Sequence, residues 1–259
     1  PIVGMIEDTV EREIDGHYLS FIIKKRLYYK YMPFLSKIGV AGETMKQYVE
    51  NNFKREALIL APWYEKSNSK KKEITGNKIN IFFGGNIYAK KEFYAFLKAL
   101  DIFAKKHQGY KVTFYIASTK KINYLPENYT INQLGWVNED ALKIYMNKCH
   151  FGYLPYIFNS KFAHSMALAF PGKAGLYISN NLPIFFHGPS YSSFNEFLNR
   201  HNVGVSCQEM NSFNISQEIS KFIDNKEIYS KYNENLENAY ILEYSQEVFN
   251  SRVSKFFNS

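Results

Sequence analysis

The feature that most constrains the fold of this chain is an alternation of short, continuously apolar segments with longer segments of helical periodicity. Strands are predicted at residues 1–6, 38–41, 57–60, 78–83, 111–117, 129–134, 149–156, 182–186 and 203–205. Helices are predicted at residues 17–31, 42–51, 90–106, 139–148, 171–180 and 191–200, with two or three more at the end. Strands without polar alternation are buried on both faces, which is typical of a parallel sheet covered by helices.

The predicted fold class is therefore α/β, with a Rossmann-like parallel sheet that carries helices on both faces. In such sheets ligands bind at the carboxyl ends of the strands, where loops and helix N-termini meet. Functional residues are expected in the segments directly after the strands.

Composition excludes several classes of protein. With 46% hydrophobic and 22% charged residues, the 259-residue chain is not a disordered tail. No stretch approaches the roughly 18 apolar residues of a spanning helix, and no signal peptide is recognisable. Cys149 and Cys207 are too few for a disulfide framework, which indicates reduced thiols and a cytoplasmic location.

The first candidate ligand-binding segment is the turn Gly84-Gly85-Asn86, followed by Lys90 and Lys91 at the start of a helix. Glycines let backbone N–H groups approach an anion closely, and the helix start adds positive potential. A tight turn without a ligand is the alternative interpretation.

Two further post-strand segments carry candidate ligand residues. Gly172-Lys173 begins a helix, where a cation is unfavourable unless an anion accompanies it; the alternative is a lysine that extends to water. Trp136 and Val137 follow another strand, and Trp136 either belongs to the core or lines a nucleotide cleft.

Taken in order, these segments resemble the carboxyl-terminal half of a GT-B glycosyltransferase. The closest likeness is to the large retaining families (group 1, family four-like) that include capsule and lipopolysaccharide sugar transferases. The matching pieces, over roughly residues 79–206, are IFFGGNIYAKKEFYAFLKAL, VTFYIAS, INQLGWVNEDALKIYMNKCHFGYLPY, FPGKAGLYISNNLPIFFHGP and NVGV. GVAGETMKQYV at 39–49 is similar to the late part of the amino-terminal domain in that family.

The resemblance implies a donor diphosphate at the Gly84-Gly85 turn. Asn86 takes the position at which the family commonly has an arginine. Lys91 keeps the family's lysine, and Lys90 stands beside it.

The resemblance also implies the remaining contacts. Ser118, Trp136 and Val137 would flank the base, and Gly172 and Lys173 would meet the phosphates. A glutamate that binds the donor ribose or sugar in the family is replaced here by Leu176, which removes an acceptor. The acidic pair Glu7 and Asp8, at the end of the first strand, would face the acceptor as catalytic residues.

The implied function is transfer of a sugar from a UDP- or GDP-type donor to a glycan or lipid-linked acceptor in surface polysaccharide synthesis. Such enzymes stabilise the leaving diphosphate without a metal, and the sequence has no Asp-x-Asp and no His/Cys ligand spacing. No other cofactor is expected. The alternatives are a non-catalytic GT-B-like nucleotide-sugar-binding or interaction protein and a sugar-nucleotide epimerase.

The predicted organisation has four parts. Residues 1–62 are a remnant of an amino-terminal acceptor-side domain, and 63–78 a linker. Residues 79–235 are the nucleotide-sugar-binding domain, and 236–259 a helix that packs back on the amino-terminal part.

The segment 24–31 is both basic and aromatic. It is either a solvated helix face or a peripheral contact with anionic lipid at the inner face of the membrane. Nucleic acid is not an expected partner, since no recognisable binding motif is present.

Overall fold

The protein is described by a computed structural model that covers residues 3–6, 26–27, 29–68 and 72–258. These residues form two parallel sheets. The smaller sheet has the order β1-β2-β3, with β1 (Val3–Ile6), β2 (Lys37–Val40) and β3 (Ala57–Ile59). The larger has the order β6-β5-β4-β7-β8-β9, formed by β4 (Lys78–Gly84), β5 (Lys111–Ala117), β6 (Thr130–Gln133), β7 (Phe151–Pro155), β8 (Ile184–His187) and β9 (Gly204–Cys207).

The helices alternate with these strands. They are α1 (Glu43–Phe53), α2 (Lys90–Lys106), α3 (Glu139–Lys148), α4 (Ala163–Leu168), α5 (Lys173–Ser179), α6 (Ser193–His201), α7 (Ser212–Asp224), α8 (Lys226–Glu243) and α9 (Gln246–Asn258). The α/β fold class predicted from the sequence is confirmed.

Aromatic residues fill the core of the larger sheet. Phe96 of α2 stacks on Tyr153 of β7, with ring centroids 3.8 Å apart, and both side chains are buried. Phe93 and Phe114 extend the same cluster. The apolar periodicity of α2 therefore marks the helix face that covers the sheet.

The strand order fixes where a ligand can bind. From β4 the chain adds β5 and β6 on one side, and then crosses to add β7, β8 and β9 on the other. The order reverses between β4 and β7. Such a reversal opens a crevice at the carboxyl ends of the two strands, the general ligand position of open α/β sheets.

Some element boundaries differ from the sequence prediction. Pro171 and Gly172 precede α5 instead of lying in it, because the Ala174 N–H already bonds to the Pro171 carbonyl in a turn. Cys149 ends α3 instead of starting β7, with its N–H bonded to the Met146 carbonyl.

Contacts with α9 and α4 help to join the small sheet to the rest of the molecule. Helix α9 returns to it, where Lys37 Nζ donates to the Phe256 carbonyl at 3.1 Å. Leu168, at the end of α4, packs into the small core formed around Val40 and Met45.

Glu243, at the end of α8, links three helices. Its Oε1 lies 3.2 Å from His201 Nε2 of α6, and its Oε2 lies 2.6 Å from Arg252 Nη2 of α9. Burial alone would raise the pKa of this carboxyl, but the adjacent His201 and Arg252 side chains outweigh it and lower the pKa below the ordinary 4.5. The carboxylate therefore ties the end of α8 to α6 and α9.

We expect Glu243→Gln to lower the free energy of unfolding by about 1–2 kcal/mol at pH 7. Because the folded-state pKa is depressed, this stabilisation is present above about pH 4.5 and is lost as the pH falls through the lower folded-state value. Urea titrations at pH 7 and pH 3 measure the effect. Glu196→Gln, which removes the exposed Arg200 pair, is the control with little expected change. An equal loss for Glu243→Gln at both pH values would contradict this role.

Candidate functional site

The crevice begins at the end of β4. Gly84 is the last residue of the strand, and Gly85 follows with a φ of +105°, a conformation that side chains disfavour. The Gly85 N–H donates to the Ala117 carbonyl of β5 at 2.9 Å. The glycine turn is therefore anchored to the neighbouring strand while its outer face stays exposed.

Lys173, the first residue of α5, reaches this turn. A Cβ added to Gly85 would lie only 3.6 Å from Lys173 Nζ. The ammonium also lies 4.4 Å from the Phe83 ring centroid and 5.7 Å from that of Tyr88. These cation–π contacts hold the positive charge over the glycine turn.

Tyr177, one turn later in α5, supports the crevice from below. Its buried hydroxyl accepts from the Gly84 N–H at 3.2 Å and donates to the Tyr153 carbonyl at 3.3 Å. The ring fits because Gly152 has no side chain, since a Cβ there would lie 2.6 Å from Tyr177 Cδ2. Burial raises the pKa of Tyr177, so the hydroxyl stays protonated. Helix α5 thus supplies both the Lys173 cation and the Tyr177 side chain that packs under the glycine turn.

The loop before α5 is fixed at both ends. The Ala169 carbonyl accepts from Tyr156 Oη at 2.8 Å and from Ser193 Oγ. The Gly172 carbonyl accepts from Tyr64 Oη at 2.7 Å. The backbone that carries Lys173 is therefore held in place on both sides of Pro171.

The predicted cations of α2 lie on the surface. Lys90, Lys91 and Asn86 are exposed, with both lysines in the first turn. Beside them is Glu92, which sequence reasoning missed. This carboxyl is buried, and its Oε1 accepts from the Phe158 N–H of the segment after β7 at 2.9 Å. An acidic residue in a first helical turn was the available signal.

The predicted base-binding residues follow β5 and β6. Ser118 is buried, and its Oγ accepts from the Lys120 N–H at 3.3 Å. Trp136 is 78% exposed, so it does not belong to the core. Val137 is partly buried and packs against a core cluster. An exposed indole is able to stack on a planar ring.

The structure describes Leu176 but not the predicted acidic pair. Leu176 is partly buried against the core cluster that contains Tyr177, so its side chain offers no hydrogen bond to a sugar. Glu7 and Asp8 lie outside the described residues, and so does part of the 24–31 segment.

His187, at the end of β8, is a buried structural residue. Its Nδ1 lies 2.9 Å from Tyr153 Oη, and its Nε2 lies 2.6 Å from the Glu209 carbonyl. Burial lowers the pKa of this imidazole to about 4, so it is neutral at neutral pH. Among the described residues, no group of three or more His, Cys, Asp or Glu side chains is placed to hold a metal ion.

The chain is similar to several solved structures, although no protein-family model and no curated protein matches it. One is a TarM variant from S. aureus in complex with fondaparinux, alpha-GlcNAc-glycerol and UDP, with 15% identity and a TM-score of 0.64 over 99% of this chain and 50% of that one. Another is WaaG, a glycosyltransferase involved in lipopolysaccharide biosynthesis, with 10% identity and a TM-score of 0.66 over 99% and 75%. A third is a UDP-forming alpha,alpha-trehalose-phosphate synthase from Burkholderia vietnamiensis, with 9% identity and a TM-score of 0.65 over 100% and 69%.

These likenesses show the fold. The chain has the fold of the GT-B glycosyltransferases, as the ordered segments predicted. It spans half the length of TarM.

Proposed function

We propose that this chain binds the diphosphate of a nucleotide-sugar in the crevice between β4 and β7, and that it carries the donor side of a glycosyltransferase. The observation that carries the proposal is the position of Lys173 Nζ over the Gly85 turn. A lysine from one segment and a glycine turn from another meet where open α/β sheets bind ligands.

The chemistry that this geometry supports is stabilisation of a leaving diphosphate. When a sugar moves to an acceptor hydroxyl, the bond between the sugar and the diphosphate breaks, and negative charge grows on the departing oxygen. A lysine placed against that charge is worth roughly 2.7–4 kcal/mol, by analogy with one donor of an oxyanion hole. Lys90 and Lys91 add positive potential at the same edge of the sheet. We therefore propose a mechanism that needs no metal.

The proposed substrates follow from the similar solved structures and from the exposed Trp136 ring. A solved TarM variant holds UDP together with glycan ligands, which favours a UDP-type donor and a glycan or lipid-linked acceptor. We propose that Trp136 stacks on the base, with Ser118 and Val137 beside it. WaaG acts in lipopolysaccharide biosynthesis, which supports a role in surface polysaccharide synthesis at the cytoplasmic side of the membrane.

The acceptor side is proposed from sequence position. Strand β1 ends at Ile6, so Glu7 and Asp8 directly follow its carboxyl end. We propose that this acidic pair activates the acceptor hydroxyl as a general base.

Thermal unfolding in the presence of UDP-, GDP-, dTDP- and CMP-sugars tests donor binding. A ligand at 100 times its dissociation constant adds about 2.7 kcal/mol to the free energy of unfolding. We expect the largest rise in Tm with a UDP-sugar, unchanged by EDTA. No rise with any of the four would contradict the proposal.

Leu176 favours a second candidate, a nucleotide-sugar-binding protein without transferase activity. The apolar side chain cannot accept a hydrogen bond from the donor sugar. Donor binding without release of UDP, in the presence of a glycan acceptor, would support this candidate over the transferase.

We also propose a peripheral contact with anionic lipid. Within the described residues no helix combines the length and apolar character needed to cross a bilayer. Phe34 is 68% exposed, Leu27 and Tyr31 are exposed near it in sequence, and Arg26 and Lys30 add charge. Aromatic rings and cations together suit a membrane–water interface.

Neutralising two of these cations is expected to weaken vesicle binding. Each cation near an anionic surface contributes about 1 kcal/mol, so the double variant Arg26→Gln/Lys30→Gln should bind phosphatidylserine vesicles at least about tenfold more weakly. Co-sedimentation measures this. Lys105→Gln/Lys106→Gln, at the exposed end of α2, is the matched control. Equal binding by the two double variants would contradict the contact.

A further inference from the structure

Tyr64 lies where the chain crosses between the two sheets. Its N–H donates to the Tyr244 carbonyl at 3.1 Å, and its carbonyl accepts from Tyr240 Oη at 3.0 Å. Tyr244 stands between α8 and α9, the helix that returns to the small sheet. The backbone of Tyr64 therefore joins the two places where the chain passes between the sheets, near Tyr64 and near Tyr244. These two places are called the crossing.

The side chain of Tyr64 lies on the start of α5, and its ring also packs edge-on against the Tyr244 ring, with centroids 5.8 Å apart. Its hydroxyl donates to the Gly172 carbonyl at 2.7 Å. Its ring covers Gly175, where an added Cβ would lie 2.2 Å from Tyr64 Cε2. Burial, with the Glu139 carboxylate nearby, raises the pKa of Tyr64, so the hydroxyl keeps the proton that it donates.

This residue thus contacts two parts of the molecule. Its backbone is bonded to Tyr244 and Tyr240 at the crossing, and its hydroxyl and ring contact Gly172 and Gly175 on either side of Lys173. A shift at the crossing moves the backbone that carries the Lys173 ammonium toward or away from Gly85.

We propose that Tyr64 is a positioning residue that couples the crossing between the sheets to the placement of Lys173 in the crevice. Its effect on nucleotide affinity rests on the proposed function, whereas its effect on the start of α5 does not. The proposed function involves the glycine turn and Lys173 and gives no role to Tyr64.

Amide hydrogen exchange of the full chain without ligand tests the structural half. Tyr64→Phe removes the hydroxyl that reaches Gly172, and Tyr240→Phe removes one that reaches the Tyr64 carbonyl at the same crossing. We expect exchange in residues 172–180 to be about five- to tenfold faster in Tyr64→Phe, and less affected in Tyr240→Phe, where the Tyr64 N–H still holds the crossing through the Tyr244 carbonyl. No acceleration in Tyr64→Phe, or acceleration no greater in residues 172–180 than in the rest of the chain, would overturn the proposal.

UDP affinity tests the functional half. Tyr64→Phe should bind UDP about five- to tenfold more weakly than the wild type. In a Lys173→Met background the same change should have no further effect, because it acts through the lysine. An equal loss in both backgrounds would overturn the coupling. A wild-type chain that binds no nucleotide would contradict the proposed function, and the exchange comparison would then decide the role of Tyr64 alone.

Discussion

Replacing Lys173 by methionine should weaken UDP binding by about 10- to 100-fold. Hydrogen bonds to charged groups contribute about 1.5–3 kcal/mol, and methionine keeps the apolar stem without the ammonium. The contacts with Phe83 and Tyr88 place that ammonium before any ligand arrives. Removing it therefore removes a preorganised charge. Isothermal titration with UDP measures the change.

Lys98→Met provides the matched control for this experiment. Lys98 is exposed on α2, away from its first turn. Its replacement lowers the net charge by the same amount, so any general electrostatic effect on nucleotide binding appears in both variants. Equal losses in the two variants would show that the diphosphate does not bind at Lys173.

Replacing Tyr177 by alanine should lower the free energy of unfolding by about 3–5 kcal/mol. Loss of a fully buried aromatic ring removes its transfer free energy and leaves a cavity beside Gly152 and Phe82. Tyr177→Phe should cost about 1–3 kcal/mol, because the buried Gly84 N–H loses its partner. Urea unfolding of both variants measures these losses.

Tyr94→Ala is the control for size. Tyr94 is a partly exposed tyrosine on the outer face of α2, and its removal should cost much less than that of Tyr177. If Tyr177→Ala were no less stable than Tyr94→Ala, the Tyr177 ring would not be what supports the glycine turn.

The alternation of apolar strands and helices was sufficient to predict the fold class, because fully buried parallel strands require helices on both faces. It also predicted that the glycine turn and Lys173 lie at one edge of a sheet. The glycine turn lies at the end of β4, and Lys173 lies in the connection between β7 and β8; the carboxyl ends of parallel strands meet at one edge. The proximity of the Lys173 ammonium to Gly85 is consistent with that expectation, while its role in donor binding stays a prediction.

Other features depend on tertiary contacts that have no local signature. Whether Trp136 belonged to the core was undecidable from its neighbours, since exposure depends on what packs over a strand end. Glu92 is buried because the segment after β7 supplies an N–H to it. Tyr64 lies in a segment that reads as a linker, yet its hydroxyl reaches Gly172 across the fold.

A crystal structure of the chain with bound UDP tests the central claim most directly. We expect the diphosphate in the crevice between β4 and β7, with a phosphate oxygen about 2.7–2.9 Å from Lys173 Nζ and the base on the side of Trp136. A diphosphate bound elsewhere, with Lys173 still against the Phe83 ring and far from any phosphate, would contradict the proposed site.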